Sequence, residues 1–388
     1  MKKLIIGTVL AMLLVVSAIA PQTGCTHETE DTGIPVSESN RWLELLSILP
    51  ENEVALKAAF LQDNAYLEEK KQQYPQISSE YAIIRNHPLL SGDSPKAYSD
   101  EEWKETLGFV SADVDQRIYA GELPLDYYEA VRGCFSRDDV DNAARTGPGN
   151  DMLEVVSYQG HEFYSWGGDN DINMSMRSNV RQLGRGFRLA LVDDFIFWVR
   201  WTDGMKEMID SYEDNVKSLA DNEDYKLLAG ALEELDTVTA LFSAESQSRS
   251  YVSEIYQQII EDPDNNERRQ VLVEEIKREL RLKPYQAFAT GAGIDKDGYY
   301  LAIALLNPSE EVARENATLL EQRINQSKIA MAWHSQSGDK WSDLIESMEI
   351  ESKGRLTLAR LYGAVVECWV NFNVMGIMGP YEPLLIHE

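Results

Sequence analysis

Asp169, Asp171 and Asn173 stand at alternate positions in the run Gly167-Gly168-Asp169-Asn170-Asp171-Ile172-Asn173. Side-chain oxygens at that spacing are ligands of the kind a calcium ion takes. An EF-hand would also need Gly at the sixth place and Glu at the twelfth, where this chain has Met174 and Val180. The run therefore reads as a polar loop, or as a calcium site of another build. Asp193-Asp194 offers two carboxylates, the groups glycoside hydrolysis uses. Such acids must face each other across a cleft ~5–9.5 Å wide, which adjacency cannot show, and at a hairpin tip the pair is an ordinary turn. Tyr158, Phe163, Tyr164, Trp166, Phe195, Phe197, Trp198 and Trp201 cluster in two neighbouring hairpins. Core packing is the first reading of them; the other is that part of the set, Trp166, Trp198 and Trp201 above all, faces solvent and stacks on a sugar or a protein.

Other chemistries lack their residues. His161-Glu162 has no second histidine of an HExxH zinc motif, and no CxxC, GxSxG or GxxxxGK[ST] occurs. No structural zinc, nucleophile elbow, phosphate loop or cofactor is expected. Gly291-Ala292-Gly293 precedes a hairpin turn, not a helix, so these glycines read as a bulge or a close approach of strands. Cys134 and Cys368 lie in apolar stretches and read as buried thiols, with a disulfide as the alternative.

The elements that must position these residues change period along the chain. Trp42, Leu45, Leu46 and Leu49 have helical spacing and stop at Pro50; Val54–Leu61 reads as a strand. Ser99 to Glu102 is a capping box for a short helix ending at Gly108. Tyr127–Phe135 reads as a strand, followed by a helix capped at Ser136. Hairpins are expected around Gln159-Gly160, Asp193-Asp194, Asp295 to Gly298 and Lys353-Gly354. From Asp203 to about Leu282 the pattern is helical, with one stripe through Met205, Met208 and Ile209 and another through Leu227, Leu228, Leu232, Leu235, Val238, Leu241 and Phe242. Further helices are expected along Val252–Ile260, from Arg268, and from Ser309 to Asn325.

The expected fold is α+β: two mixed sheet-and-helix lobes, residues 41–202 and 283–388, with a helical segment, 203–282, between them. A shift of 172 residues places Tyr128 on Tyr300, Ala130 on Ala302 and Val140 on Val312. Duplication would explain this, with the helices from Ser136 and Ser309 each packed on its own sheet and burying its valine; convergence of two strand–turn–helix units is the alternative.

The first residues point to export, with a lipid anchor as the first reading and plain secretion or an uncleaved anchor as the alternatives. Met1-Lys2-Lys3 precedes an apolar run, Leu4–Ala20, and then Pro21-Gln22-Thr23-Gly24-Cys25. That is the layout of a secretory signal. Gly24-Cys25 resembles the lipobox of bacterial lipoproteins, although Gln22 stands where that family prefers Leu. The resemblance implies cleavage after residue 24, lipid on Cys25 and a place on the extracytoplasmic face of a cell membrane. Residues 25–40 are polar and acidic and read as a disordered tether.

The chain of 388 residues has 36 basic and 65 acidic residues, a formal net charge of −29. A polyanion repels phosphate backbones, so nucleic acid is excluded as a partner, and binding to the membrane falls to the lipid rather than to charge. Taken together, these features point to a non-enzymatic, membrane-anchored extracytoplasmic lipoprotein with a binding or scaffolding role. The rivals are a carboxylate-based hydrolase of envelope polymers and a calcium-stabilised binding module. A cleft with facing acids and a raised carboxyl pKa would favour the hydrolase; an exposed aromatic patch would favour binding.

Overall fold

The computed structural model describes residues 40–77, 84, 100–122, 126–147, 149–174, 184, 186–245, 280–327, 340–367, 369 and 383–388. The signal, Cys25, the tether, the helices expected at Val252–Ile260 and from Arg268, and Cys368 lie outside the described residues.

The protein is α+β. Its helices are α1 (Arg41–Leu46), α2 (Glu53–Lys57), α3 (Asn64–Gln73), α4 (Asp100–Leu107), α5 (Arg137–Thr146), α6 (Thr202–Tyr212), α7 (Glu223–Glu234) and α8 (Glu310–Gln326), with a short turn of helix at Trp341–Leu344. The strands are β1 (Ala59–Asp63), β2 (Val114–Glu122), β3 (Asp126–Gly133), β4 (Leu153–Tyr158), β5 (His161–Trp166), β6 (Phe187–Val192), β7 (Phe195–Val199), β8 (Thr239–Ser243), β9 (Ala287–Asp295), β10 (Gly298–Leu306), β11 (Ser347–Lys353) and β12 (Leu356–Tyr362). Among the described residues no helix is long and apolar enough to cross a membrane.

All twelve strands form one open antiparallel sheet in the order β11-β12-β10-β9-β8-β1-β2-β3-β7-β6-β5-β4. The expectation of a separate sheet for each lobe is corrected by this order. The segment 203–282, expected to be helical, contains β8, and β8 joins the halves by pairing with β1 on one side and β9 on the other. Leu241 and Phe242, placed by their spacing on a helix face, are consecutive residues of this strand. All five of its residues are buried, so it shows no alternation by which to be recognised.

Outward from the β1–β8 seam the two halves run in the same order, β1-β2-β3-β7-β6 and β8-β9-β10-β12-β11. A helix follows the third strand in each, α5 after β3 and α8 after β10. The β4–β5 hairpin is extra to the first half. The repeat of order is a likeness of topology, and β3 and β10 are the strands carrying Tyr128 and Tyr300, but duplication as expected, with each helix on its own sheet, is not met, because both halves share one continuous sheet. The helices match less closely. Ser136 and Ser309 both cap as expected, accepting from Asp139 N and Val312 N. Val140 is buried, but Val312 is only half-buried and Ala313 takes the core position. The capping serines are one residue further apart than the strand shift, which moves the buried site by one.

The sheet separates two layers. On one face Trp42, Leu45, Met205, Met208, Ile209, Leu228 and Leu232, from α1, α6 and α7, pack on Ala59, Leu61, Tyr128, Ala130, Ala240, Phe242, Tyr300 and Ala302. On the other face Val140 of α5 packs with Val131, Leu189 and Ile196, and Leu320 and Ile324 of α8 pack with Leu301, Ile303 and Leu361. Helices as short as α1, α5, α6 and α7 are marginal alone, so burial at roughly 1.5–3 kcal/mol per large apolar side chain holds them.

Val54–Lys57, read as strand, is helical. Asn52 accepts hydrogen bonds from Val54 N and Ala55 N and starts α2, so the strand begins only at Ala59.

Candidate functional site

The end of the sheet where β1 and β3 finish, β2 begins and the β6–β7 hairpin turns carries a cleft of about 900 Å³. Each wall has a local cause. In β2 the register against β3 jumps from Val114 to Gln116, so Asp115 is the extra residue of a bulge. A bulge re-aims its side chain, and Asp115 lines the cleft. Arg132, at the end of β3, shares the sheet face of Tyr128 and Ala130. Asp193 and Asp194 form the β6–β7 turn, as their sequence suggests, with Asp193 at φ 51°. Tyr212 arrives from the end of α6, and Phe135 from the connection between β3 and α5.

Charge dominates the cleft. Arg132 Nε donates to Asp194 Oδ2 at 2.5 Å and Nη1 to Glu44 Oε1 at 2.6 Å. Tyr212 donates to Asp193 Oδ2 at 2.5 Å. Burial, followed by that bond, pushes the Tyr212 hydroxyl well above its ordinary pKa. Gln116 Nε2 donates to Asp63 Oδ2 at 3.0 Å, and Asp63 also caps α3 by accepting from Tyr66 N. Asp115 takes no side-chain hydrogen bond from the described residues. Burial first, then the charges of Asp63 and Asp194, raise its pKa against the pull of Arg132. One guanidinium is thus divided among acids that outnumber it, and a cation entering here would meet unspent negative charge.

Cys134 also lines this cleft and is disulfide-bonded, which corrects the reading of it as a thiol.

Of the sequence candidates only Asp193-Asp194 lies here. Asp169 Oδ1 accepts from Thr202 N and Oγ1 at 2.9 and 2.8 Å and pairs with Arg188 Nη2 at 2.7 Å. Its carboxylate thus ties the loop to the start of α6. Asp171 and Asn173 bond through their backbones to Gly168, Gly186 and Gly184, and Asn173 Nδ2 points at Met152 Sδ. Among the described residues no three His, Cys, Asp or Glu side chains form a group that could hold a metal ion. The tryptophans do not share one surface. Trp166 is buried and Trp198 half-buried in the layer under α5, whereas Trp201 packs against the opposite layer, its ring 5.1 Å from that of Tyr128.

Sequence reasoning missed Glu129. It lies in mid-strand on β3, only 5% exposed, and its carboxyl accepts a hydrogen bond from Trp198 Nε1. Burial pushes its pKa up to about 8, against lowering by the Trp198 bond and by Arg117 and Arg200.

No protein-family model matches the chain. No curated protein matches it. Three crystal forms of a protein called TP0453 are weakly similar in structure. Form I gives 9% identity and a TM-score of 0.38 over 85% of this chain and 97% of that one. Form III gives 8% and 0.36 over 84% and 97%, and form IV 9% and 0.36 over 86% and 98%. Likenesses of this size establish neither a shared fold nor a shared function.

Proposed function

We propose that the protein is an extracytoplasmic lipoprotein, anchored to the membrane through Cys25, that binds a cationic ligand bearing amines or guanidinium groups in the acidic cleft. The observation that carries the binding reading is the charge of the lining: Asp115, Asp193 and Asp194 face one Arg132, and that guanidinium is already shared with Glu44. The secretory layout and Gly24-Cys25 support the location. The anchor carries a constraint. A Cys25 sulfur held in a thioether has no thiol to give, so lipidation requires that Cys134 be bonded to another partner.

The cleft is tested by thermal unfolding with spermidine as the probe at low salt. Wild type is expected to melt a few degrees higher at saturating polyamine, and the Asp115→Asn/Asp193→Asn variant to lose most of that shift. Equal shifts in both proteins would assign the effect to general surface charge and end the reading.

One observation favours a second reading, the carboxylate-based hydrolase. Asp115 is a half-buried acid at a cleft wall whose pKa is raised, first of all by burial, the kind of setting in which general acids are found. Its carboxylate partners are engaged, however, Asp194 with Arg132 and Asp193 with Tyr212. Hydrolysis of an envelope glycan that Asp115→Asn abolishes would establish the hydrolase over the binding protein.

A further inference from the structure

The register of the sheet builds a cage around Glu129. On β2, Tyr119 stands directly opposite it, and on β7, Trp198 does so from the other side. The next residues of β3 on this face are Tyr127 and Val131. Arg117 pairs with Val131 and so takes one diagonal position. Arg200, two residues beyond Trp198, takes the other, its guanidinium 4.7 Å from the centre of the Tyr127 ring. Segment 100–113 covers the cage. Phe109 stacks on Trp198 at 6.4 Å, and the Arg117 guanidinium lies 6.0 Å from the centre of the Trp103 ring while Nη2 donates to Ser111 Oγ at 2.8 Å.

The charges around the carboxyl can be named by element. β2 supplies Arg117, and the end of β7 supplies Arg200. β3 adds no other charge on this face, because Arg132 points to the opposite one. On α4, Glu102 is half-buried, and Asp100, Glu101, Lys104 and Glu105 are exposed or at the rim. Both guanidiniums thus lie near the carboxyl but are engaged with other groups, Arg117 with Ser111 and Trp103, Arg200 with Tyr127.

We propose that Glu129 is a proton-operated latch on segment 100–113. Protonated, it accepts from the Trp198 indole, a bond that the carboxylate would accept more strongly, and makes no demand on the guanidiniums of Arg117 and Arg200. Once the proton has passed to solvent, a carboxylate stands almost wholly buried among Tyr119, Tyr127, Val131 and Trp198, where a charge costs several kcal/mol unless a guanidinium pairs with it. The nearest relief is a guanidinium. Moving Arg117 to it breaks the contacts with Ser111 and Trp103, so the cover is released from the sheet. The cleft and its ligand take no part in this device.

The test uses the full chain, wild type and Glu129→Gln, because glutamine keeps an acceptor for Trp198 and cannot titrate. Near-ultraviolet circular dichroism is followed from pH 6 to 9. Wild type is expected to lose aromatic signal with a midpoint near 8, and Glu129→Gln to stay flat with unchanged far-ultraviolet signal. The same transition in the variant, or none in wild type, overturns the latch. If the variant does not fold, hydrogen exchange of wild type decides. Exchange in segment 100–113 should rise about tenfold more between pH 7 and 9 than exchange in β9 and β10, after correction for intrinsic rates. A uniform change would overturn the proposal.

Discussion

Replacing Gly291 by alanine is expected to cost more than about 4 kcal/mol, or to prevent folding outright. A Cβ at this position would lie 2.1 Å from the backbone oxygen of Thr239 and 3.3 Å from Thr237 Cβ. The obstacle is main chain of β8, the strand that joins the halves, and β8 is held by β1 on its other side and buried on both faces. The seam would have to open, and an interior packed this tightly has little room to yield. Gly230 is the control. It lies on the exposed side of α7 and a Cβ there meets nothing within 4 Å, so Gly230→Ala should stabilise by about 1 kcal/mol through helix propensity. Urea unfolding of both variants measures the contrast. A midpoint for Gly291→Ala close to wild type would mean that the two halves are not joined through β8 as described.

The second large effect is a pH dependence of stability that Glu129 confers. Its folded pKa of about 8 is above the ordinary 4.5, so between these values the native state holds a proton that the unfolded chain has released. Stability must then fall as pH rises across that window and level off above it. At about 1.4 kcal/mol per pH unit the ceiling is between 4 and 5 kcal/mol, and relaxation around the carboxyl should reduce it to a few. Glu129→Gln removes the slope. The difference in unfolding free energy between variant and wild type should therefore widen from pH 5 to pH 8 in favour of the variant. Parallel curves for the two proteins would show that the carboxyl ionises as an ordinary glutamate does.

The hairpins and capped helices were legible in the sequence because their signals are local. Gln159-Gly160, Asp193 and Gly354 adopt positive φ where the turns were expected, and Ser136 and Ser309 cap with their own hydroxyls. β8 was not legible, since a strand buried on both faces carries no period of two and its leucine and phenylalanine extend a helical stripe by coincidence. The glycines of β9 read as a bulge or as close packing; close packing is found, Gly291 against the main chain of β8 and Gly293 against the Tyr300 ring, but these neighbours follow only from the sheet order. The cleft was hidden for the same reason. Asp115 reaches it through a bulge, Arg132 through the end of a strand, and Asp194 from a hairpin that pairs with β3 across a long stretch of chain. No spacing joins these residues. Glu129 passed unremarked in a strand expected to be buried, and what its carboxyl meets followed only once β7 was placed beside β3.

The location of the protein is tested most directly by mass mapping of the mature chain extracted from membranes without reduction. The account predicts an N-terminal peptide beginning at Cys25 with its sulfur carrying lipid, no trace of residues 1–24, and a bond at Cys134 that does not involve Cys25. A disulfide-linked pair of peptides containing Cys25 and Cys134 would contradict it, because one sulfur cannot serve as both anchor and bridge.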